Sequence, residues 1–188
     1  NKLTSQPFTE SELKLMELNL EIMTRWLAER NIKYYFVCAP IKARVYPEKM
    51  HDGQRKLYEF SKLNQLYEYI NGNNAINIID VRDELIAGKK IRDTYLKTDT
   101  HWNQFGAFLG YKKIMDVMKE DFPGIRSHDI EEYKLDSAMT GGGDLLMFMG
   151  LTKGISFPNY SMELKSGKKP IVIDSTSIPW RPLKTEIR

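Results

Sequence analysis

The chain has 188 residues, of which 41% are hydrophobic and 28% charged, ordinary proportions for one globular domain (1–188) that buries about 70% of its unfolded surface. Basic residues exceed acidic ones by only 28 − 25 = 3 and are interspersed, so nucleic acid is not indicated as a partner, nor is an anionic membrane surface. The single cysteine, Cys38, excludes an internal disulfide, and no apolar run is long enough to span a bilayer.

The chain opens at Asn1 rather than Met, without a signal peptide, and a trimmed or processed product is expected. Thr9 with Glu12 three residues on predicts a capped helix over 9–30, with a buried stripe of Leu13, Met16, Leu20, Met23 and Leu27. The run I-K-Y-Y-F-V-C-A (32–39), closed by Pro40, predicts a strand buried on both faces, with Cys38 in the core. P-I-K-A-R-V-Y-P then leaves the carboxyl end of that strand, the edge at which open α/β sheets bind ligands. Lys42, Arg44 and Tyr46 are therefore candidate contacts to a polar substrate, with an ordinary solvated loop as the alternative. A second helix is expected over 54–70, carrying Leu57, Phe60, Leu63, Tyr67 and Ile70 and stopped by N-G-N-N. A second strand (75–80) and a short helix (81–88) come next, and the alternation predicts a parallel sheet with helices on both faces.

The segment from Tyr95 to Tyr111, Y-L-K-T-D-T-H-W-N-Q-F-G-A-F-L-G-Y, places Asp99 two residues before His101. In an extended segment such residues share a face, whereas on a helix they would not meet. A carboxylate beside an imidazole is the base half of a nucleophilic triad: it fixes the ring tautomer and stabilises the imidazolium formed when the ring takes a serine proton. By itself D-x-H equally describes a turn acid followed by a surface histidine. Asn103 is the expected N-cap of a helix over 104–120 carrying Phe105, Leu109, Ile114, Val117 and Met118. The nearby helix N-terminus disfavours an imidazolium, and Asp99 is placed to offset it.

Past Pro123 the periodicity weakens, and His128, like His51 earlier, reads as a surface residue without Cys or His at ligand spacing. No metal site and no cofactor are called for. T-G-G-G-D-L-L-M-F-M-G (140–150) reads as a tight glycine turn before a short apolar helix that Asp144 could cap. The remainder is polar, with one strand candidate, P-I-V-I-D (170–174), leading into Ser175.

The string K-T-D-T-H-W-N-x-x-G-A, with Asp99, His101, Trp102, Asn103, Gly106 and Ala107, resembles the signature of the SGNH-hydrolase-like O-acetyltransferases of the alginate-acetylation (AlgJ and AlgX) type. Pro40, Lys42, Val45, Tyr46 and Pro47 match that family's P-x-K-x-x-V-Y-P segment, and Gly143, Asp144 and Leu145 match its Gly-Asp-Leu. The resemblance implies a three-layer α/β/α fold with a mostly parallel sheet, represented at least in part. It also implies acetyl transfer to hydroxyls of an extracytoplasmic polysaccharide through an acyl-serine. His101 would be the general base and acid, and Asp99 would orient it. Lys42, Arg44, Tyr46, Trp102, Asn103, Gly143 and Asp144 would lie at the substrate site, Trp102 either packing under the loop or stacking on a sugar. The family's D-S-F serine segment and its amino-terminal G-x-x-G-W-L-F-like stretch have no counterpart here. The nucleophile is accordingly expected beyond Arg188, with Ser175 as the competing candidate. A periplasmic setting and a membrane-bound acyl-donor protein also come with the resemblance. An esterase of the same fold and a non-catalytic glycan-binding or assembly domain remain as alternatives.

Overall fold

The computed structural model describes residues 6–53, 61–151 and 154–166, together with the backbone of 171–172 and 185–186. Helix α1 (Glu10–Ala28) begins at Thr9, whose backbone N–H donates to the Glu12 carboxylate at 2.7 Å while the Glu12 N–H donates to the Thr9 hydroxyl, a reciprocal box that satisfies donors otherwise orphaned at a helix start. Its inward face is narrower than the heptad spacing suggests. Leu13 is buried and Met16 and Leu20 are partly so, but Met23 is 47% exposed.

Strand β1 (Phe36–Val37) pairs in parallel with β2 (Ile78–Ile79), as the alternating pattern predicts. Both are much shorter than the apolar runs that contain them. The first half of 32–39 is spent elsewhere: the Ile32 N–H closes the end of α1 on Leu27, Lys33 and Tyr35 both bind Asp121, and Tyr34 gives its carbonyl to the Asn77 side chain. Cys38 is half-buried rather than a core residue, and burial raises its thiol pKa.

Side-chain alternation along this short pair separates two layers. Phe36 and Ile78 pack with Leu13 of α1, with Leu66 and Ile70 of α3 (Lys62–Ile70), and with Ile76. Val37 and Ile79 face the other way. There they pack with Val45 of α2 (Lys42–Val45), Val81, Leu85 of α4 (Arg82–Gly88) and Leu109, Ile114 and Val117 of α5 (Gln104–Asp121). The result is helices on both faces of a parallel pair. The amino-terminal part of the expected second helix, with Leu57 and Phe60, lies outside the described residues. Its end matches the N-G-N-N signal: Asn71 is the C-cap, Gly72 takes φ 92°, and the Asn73 amide donates to Glu17 and Glu21 of α1.

Beyond α5 the expected short apolar helix forms at 144–148, together with a strand pair that the residue pattern does not announce. Strands β3 (Tyr133–Gly141) and β4 (Ser156–Leu164) form an antiparallel pair in continuous register from Tyr133↔Leu164 to Gly141↔Ser156, and α6 (Asp144–Phe148) lies in their connection. Most of β3 faces solvent, so it lacks the apolar alternation that marks a half-buried strand, and Pro158 inside β4 argues against a strand. His128 is also not a plain surface residue. It is half-buried, with Nδ1 3.0 Å from Glu132 and its ring edge-on to Tyr133. Of the predicted 170–174 strand, Ile171–Val172 forms β5, antiparallel to β6 (Thr185–Glu186). Ser175 lies outside the described residues.

Candidate active site

Asp99 and His101 meet, but not through an extended backbone. Tyr95 and Trp102 form an isolated antiparallel bridge, and the residues between them make bends. Asp99 Oδ1 accepts the His101 backbone N–H at 2.9 Å, the local side-chain turn that Asp favours. The same oxygen lies 2.6 Å from His101 Nδ1. One carboxylate oxygen thus holds both the backbone and the ring of the residue two positions on, and the ring is the Nδ1–H tautomer when neutral.

The pair is supported from behind by α6. Asp144 N–H donates to Asp99 Oδ2 at 3.2 Å, Gly143 N–H to Thr98 Oγ1 at 3.0 Å, and Leu145 N–H to the Thr98 carbonyl at 3.1 Å. Asp144 does not cap its helix, whose N-cap is Gly143. Its carboxylate turns to the loop, accepting the Thr100 N–H at 2.8 Å and the Thr100 hydroxyl, and stands 3.8 Å from His101 Nδ1. Gly143 is required by contact: a Cβ there would come within 2.3 Å of Asp99 Oδ2.

These contacts set the charge states. Burial works against ionisation of Asp99, yet the hydrogen bonds from the His101 backbone and ring and from the Asp144 backbone outweigh it and hold the carboxyl below its usual range. The hydrogen bond and charge of Asp99, joined by the charge of Asp144, raise the His101 pKa. The Asp99 side chain is 16% exposed and that of His101 76%. Nε2 of His101 has no hydrogen-bond partner among the described residues, so the outward edge of the ring is open to a proton donor.

One donor atom from each of Asp99, His101 and Asp144 lies within 4.8 Å of the others, close enough to hold a metal ion. Nδ1 is already paired with Asp99, and both Asp144 oxygens accept from Thr100. As they stand, the three side chains form one hydrogen-bonded network with Thr100.

The other residues singled out in the sequence take varied places. Tyr46 is buried and serves the loop: its hydroxyl accepts the Thr94 N–H at 2.7 Å and lies 3.2 Å from Thr94 Oγ1. Asn103 is buried, capping α5 through Gly106 N–H at 2.9 Å and donating to the Asp93 carbonyl at 2.7 Å, so both ends of its amide are used internally. Trp102 lies half-buried along α5, with a Cβ at Gly106 or Gly110 coming within 3.0 to 3.3 Å of its side chain. Lys42 points its ammonium at backbone carbonyls of the D-x-H loop. Arg44 is half-buried. A cleft of about 920 Å³ opens beside the loop, lined in part by Lys42, Tyr46, Lys49, Asp93, Lys97 and Thr100. Thr98 and Thr100, which tie the loop to α6, carried no signal in the sequence beyond their place on either side of Asp99.

A parallel pair flanked by helices, with a histidine and carboxylate on a loop beyond its carboxyl end, is the arrangement expected of an SGNH-hydrolase-like α/β protein. The profile of the family described as "SGNH hydrolase-like domain, acetyltransferase AlgX" matches residues 3–170, and the chain belongs to that family. A probable alginate O-acetylase AlgJ of Azotobacter vinelandii is 34% identical over 94 residues, covering 50% of this chain and 24% of that protein. Bacillus cereus PatB1, solved with a sulfonyl adduct, has the same fold at a TM-score of 0.65 and 19% identity, over 89% of this chain and 53% of that one. The O-acetyltransferase domain of Pseudomonas putida AlgJ aligns at a TM-score of 0.55 and 19% identity, over 85% of this chain and 60% of that one. The chain thus spans about a quarter of the curated relative and between half and two thirds of these solved structures.

Proposed function

We propose that this chain supplies the histidine and aspartate of a Ser-His-Asp O-acetyltransferase that transfers acetyl groups to polysaccharide hydroxyls outside the cytoplasm. The observation that carries the reading is the Asp99–His101 contact at 2.6 Å with the far ring edge open. Membership of an acetyltransferase family supports acetyl transfer, and the names of the AlgJ relatives support a polysaccharide acceptor. Among the described residues no helix is long and apolar enough to cross a membrane; a membrane-bound acyl-donor protein is part of the proposal as a partner.

In this reading His101 Nε2 takes the proton of a serine hydroxyl as its oxygen attacks the acetyl carbonyl carbon. The proton then passes to the departing donor group, leaving an acetyl-serine. A sugar hydroxyl gives its proton to the same nitrogen and attacks the acyl carbon, and the serine oxygen leaves and recovers that proton. Asp99 keeps Nδ1–H pointing inward and stabilises the imidazolium at each transfer. Ser175, which lies outside the described residues, is the candidate nucleophile within this chain.

The sulfonyl adduct on PatB1 recommends the test. The longest natural form of the protein is treated with a serine-reactive sulfonyl fluoride or phosphonate, and the adduct is mapped by peptide mass spectrometry. Labelling that is lost in His101→Ala is expected, and its position assigns the nucleophile to Ser175 or to another serine. Equal labelling of wild type and His101→Ala, or none in either, would overturn the reading. Product analysis with a glycan acceptor separates transfer from hydrolysis: acetylated glycan is expected, and acetate alone would make the protein an esterase.

A further inference from the structure

Lys42 lines the cleft beside the D-x-H loop, but its ammonium is directed at the loop backbone. An ammonium has three N–H donors, and all three are taken by backbone carbonyls of the D-x-H loop: Leu96 at 2.5 Å, Lys97 at 2.8 Å and Asp99 itself at 3.1 Å. These carbonyls belong to one bend with little regular backbone pairing, so without the lysine they would turn to water or leave their positions. The rest of the same segment grips the loop at its base. Tyr46 binds Thr94 through its N–H and hydroxyl, and the Tyr95 hydroxyl donates to the Pro40 carbonyl. The P-I-K-A-R-V-Y-P stretch therefore braces the loop through Pro40, Lys42 and Tyr46.

We propose that Lys42 is a positioning residue which fixes the backbone carrying Asp99, and through Asp99 the His101 ring, rather than a ligand for substrate. The proposal rests on the acetyl-transfer reading only for its kinetic consequence, since the geometry it describes is independent of the reaction. The charged groups facing the His101 ring are Asp99 from its own loop and Asp144 from α6, while the Lys42 ammonium of α2 meets the loop at the Asp99 carbonyl. This arrangement gives a sign that separates positioning from charge. Deleting a nearby cation alone would let the His101 pKa rise. Loosening Asp99 removes the largest cause of its elevation, so the pKa would fall.

Lys42→Met, Lys42→Arg and wild type are compared in the longest natural form of the protein by steady-state kinetics and by nuclear magnetic resonance titration of the His101 ring. Lys42→Met is expected to lower kcat by about 10²-fold, the scale of an ångström-sized misplacement, with KM for the acceptor unchanged and the His101 pKa lower. Lys42→Arg keeps the charge, but its planar fork cannot converge on three carbonyls as an ammonium does, so an intermediate loss is expected; if Lys42→Met does not fold, this variant decides. A raised KM at unchanged kcat would make Lys42 a substrate contact and overturn the proposal, as would a His101 pKa that stays or rises, or a Lys42→Arg protein that matches wild type in both measurements. Should the wild type show no acetyl transfer at all, the functional reading fails, and the His101 titration alone still decides the role of Lys42.

Discussion

Asp99 has two tasks on one side chain: Oδ1 holds His101, and Oδ2 receives the N–H of Asp144. Asp99→Asn would present an amide N–H or a weaker acceptor to Nδ1 and upset the tautomer. Turnover should fall on the order of 10⁴-fold, as when a triad carboxylate is lost, checked by steady-state assay of the full-length protein. Asp144→Asn removes one of the charges that raise the His101 pKa while keeping an acceptor for Thr100. The limb of the kcat/KM profile that rises as His101 loses its proton should move to lower pH. Stability has a matching signature. The raised pKa of His101 contributes stability that is present below its unfolded value of about 6.5 and is lost as pH rises through the folded one. The lowered pKa of Asp99 contributes stability that is present above about 3.9 and is lost as pH falls through its folded value.

At the scale of elements, the amino end of α6 and the D-x-H loop touch backbone to side chain, and this contact tolerates no added carbon. A Cβ at Gly143 would lie 2.3 to 2.7 Å from three atoms of the Asp99 side chain, which is itself held by His101. Gly143→Ala should therefore cost about 1–3 kcal/mol, the range for overpacking, and lower activity with it; denaturant unfolding alongside the assay checks both. Legibility in the sequence divides along the same lines. The helices α1 and α5 could be read because their caps are local, Thr9 with Glu12 and Asn103 with Gly106. The β3–β4 pair could not, because its side chains are mostly exposed and its partners are distant in sequence. The D-x-H pair was legible from spacing, but for a different physical reason than the extended backbone expected of it, since an Asp turn brings the residues together. The supporting roles of Tyr46 and Lys42 were hidden because a polar side chain looks the same in sequence whether it meets a substrate or the protein's own backbone.

At the scale of the whole molecule, the alternation of Phe36 and Ile78 against Val37 and Ile79 puts helices on both faces, and the connections leaving the carboxyl ends of β1 and β2 lead to the brace and the D-x-H loop. The site accordingly sits on the edge where α/β sheets bind ligands. Next to it, α6 and the residues after it present apolar surface to solvent, with Met147 66%, Phe148 83% and Met149 68% exposed, a grouping of a kind rare on a monomer without a use. Phe148 holds no part of the core. Phe148→Ser should leave the unfolding free energy within about 0.5 kcal/mol of wild type and reduce binding of a hydrophobic dye, and a large loss of stability would show that the residue is covered.

The grip of Lys42 on three carbonyls also bears on chemical self-damage. In the proposed reaction an amine beside the site would be a rival acceptor for the acyl group, and burial lowers the Lys42 pKa toward the neutral, reactive form. With every N–H committed to a carbonyl, losing a proton would mean giving up one of these bonds and turning a lone pair toward a carbonyl oxygen. If the site transfers acetyl groups as proposed, the clamp that holds the loop would also shield its own lysine from acylation.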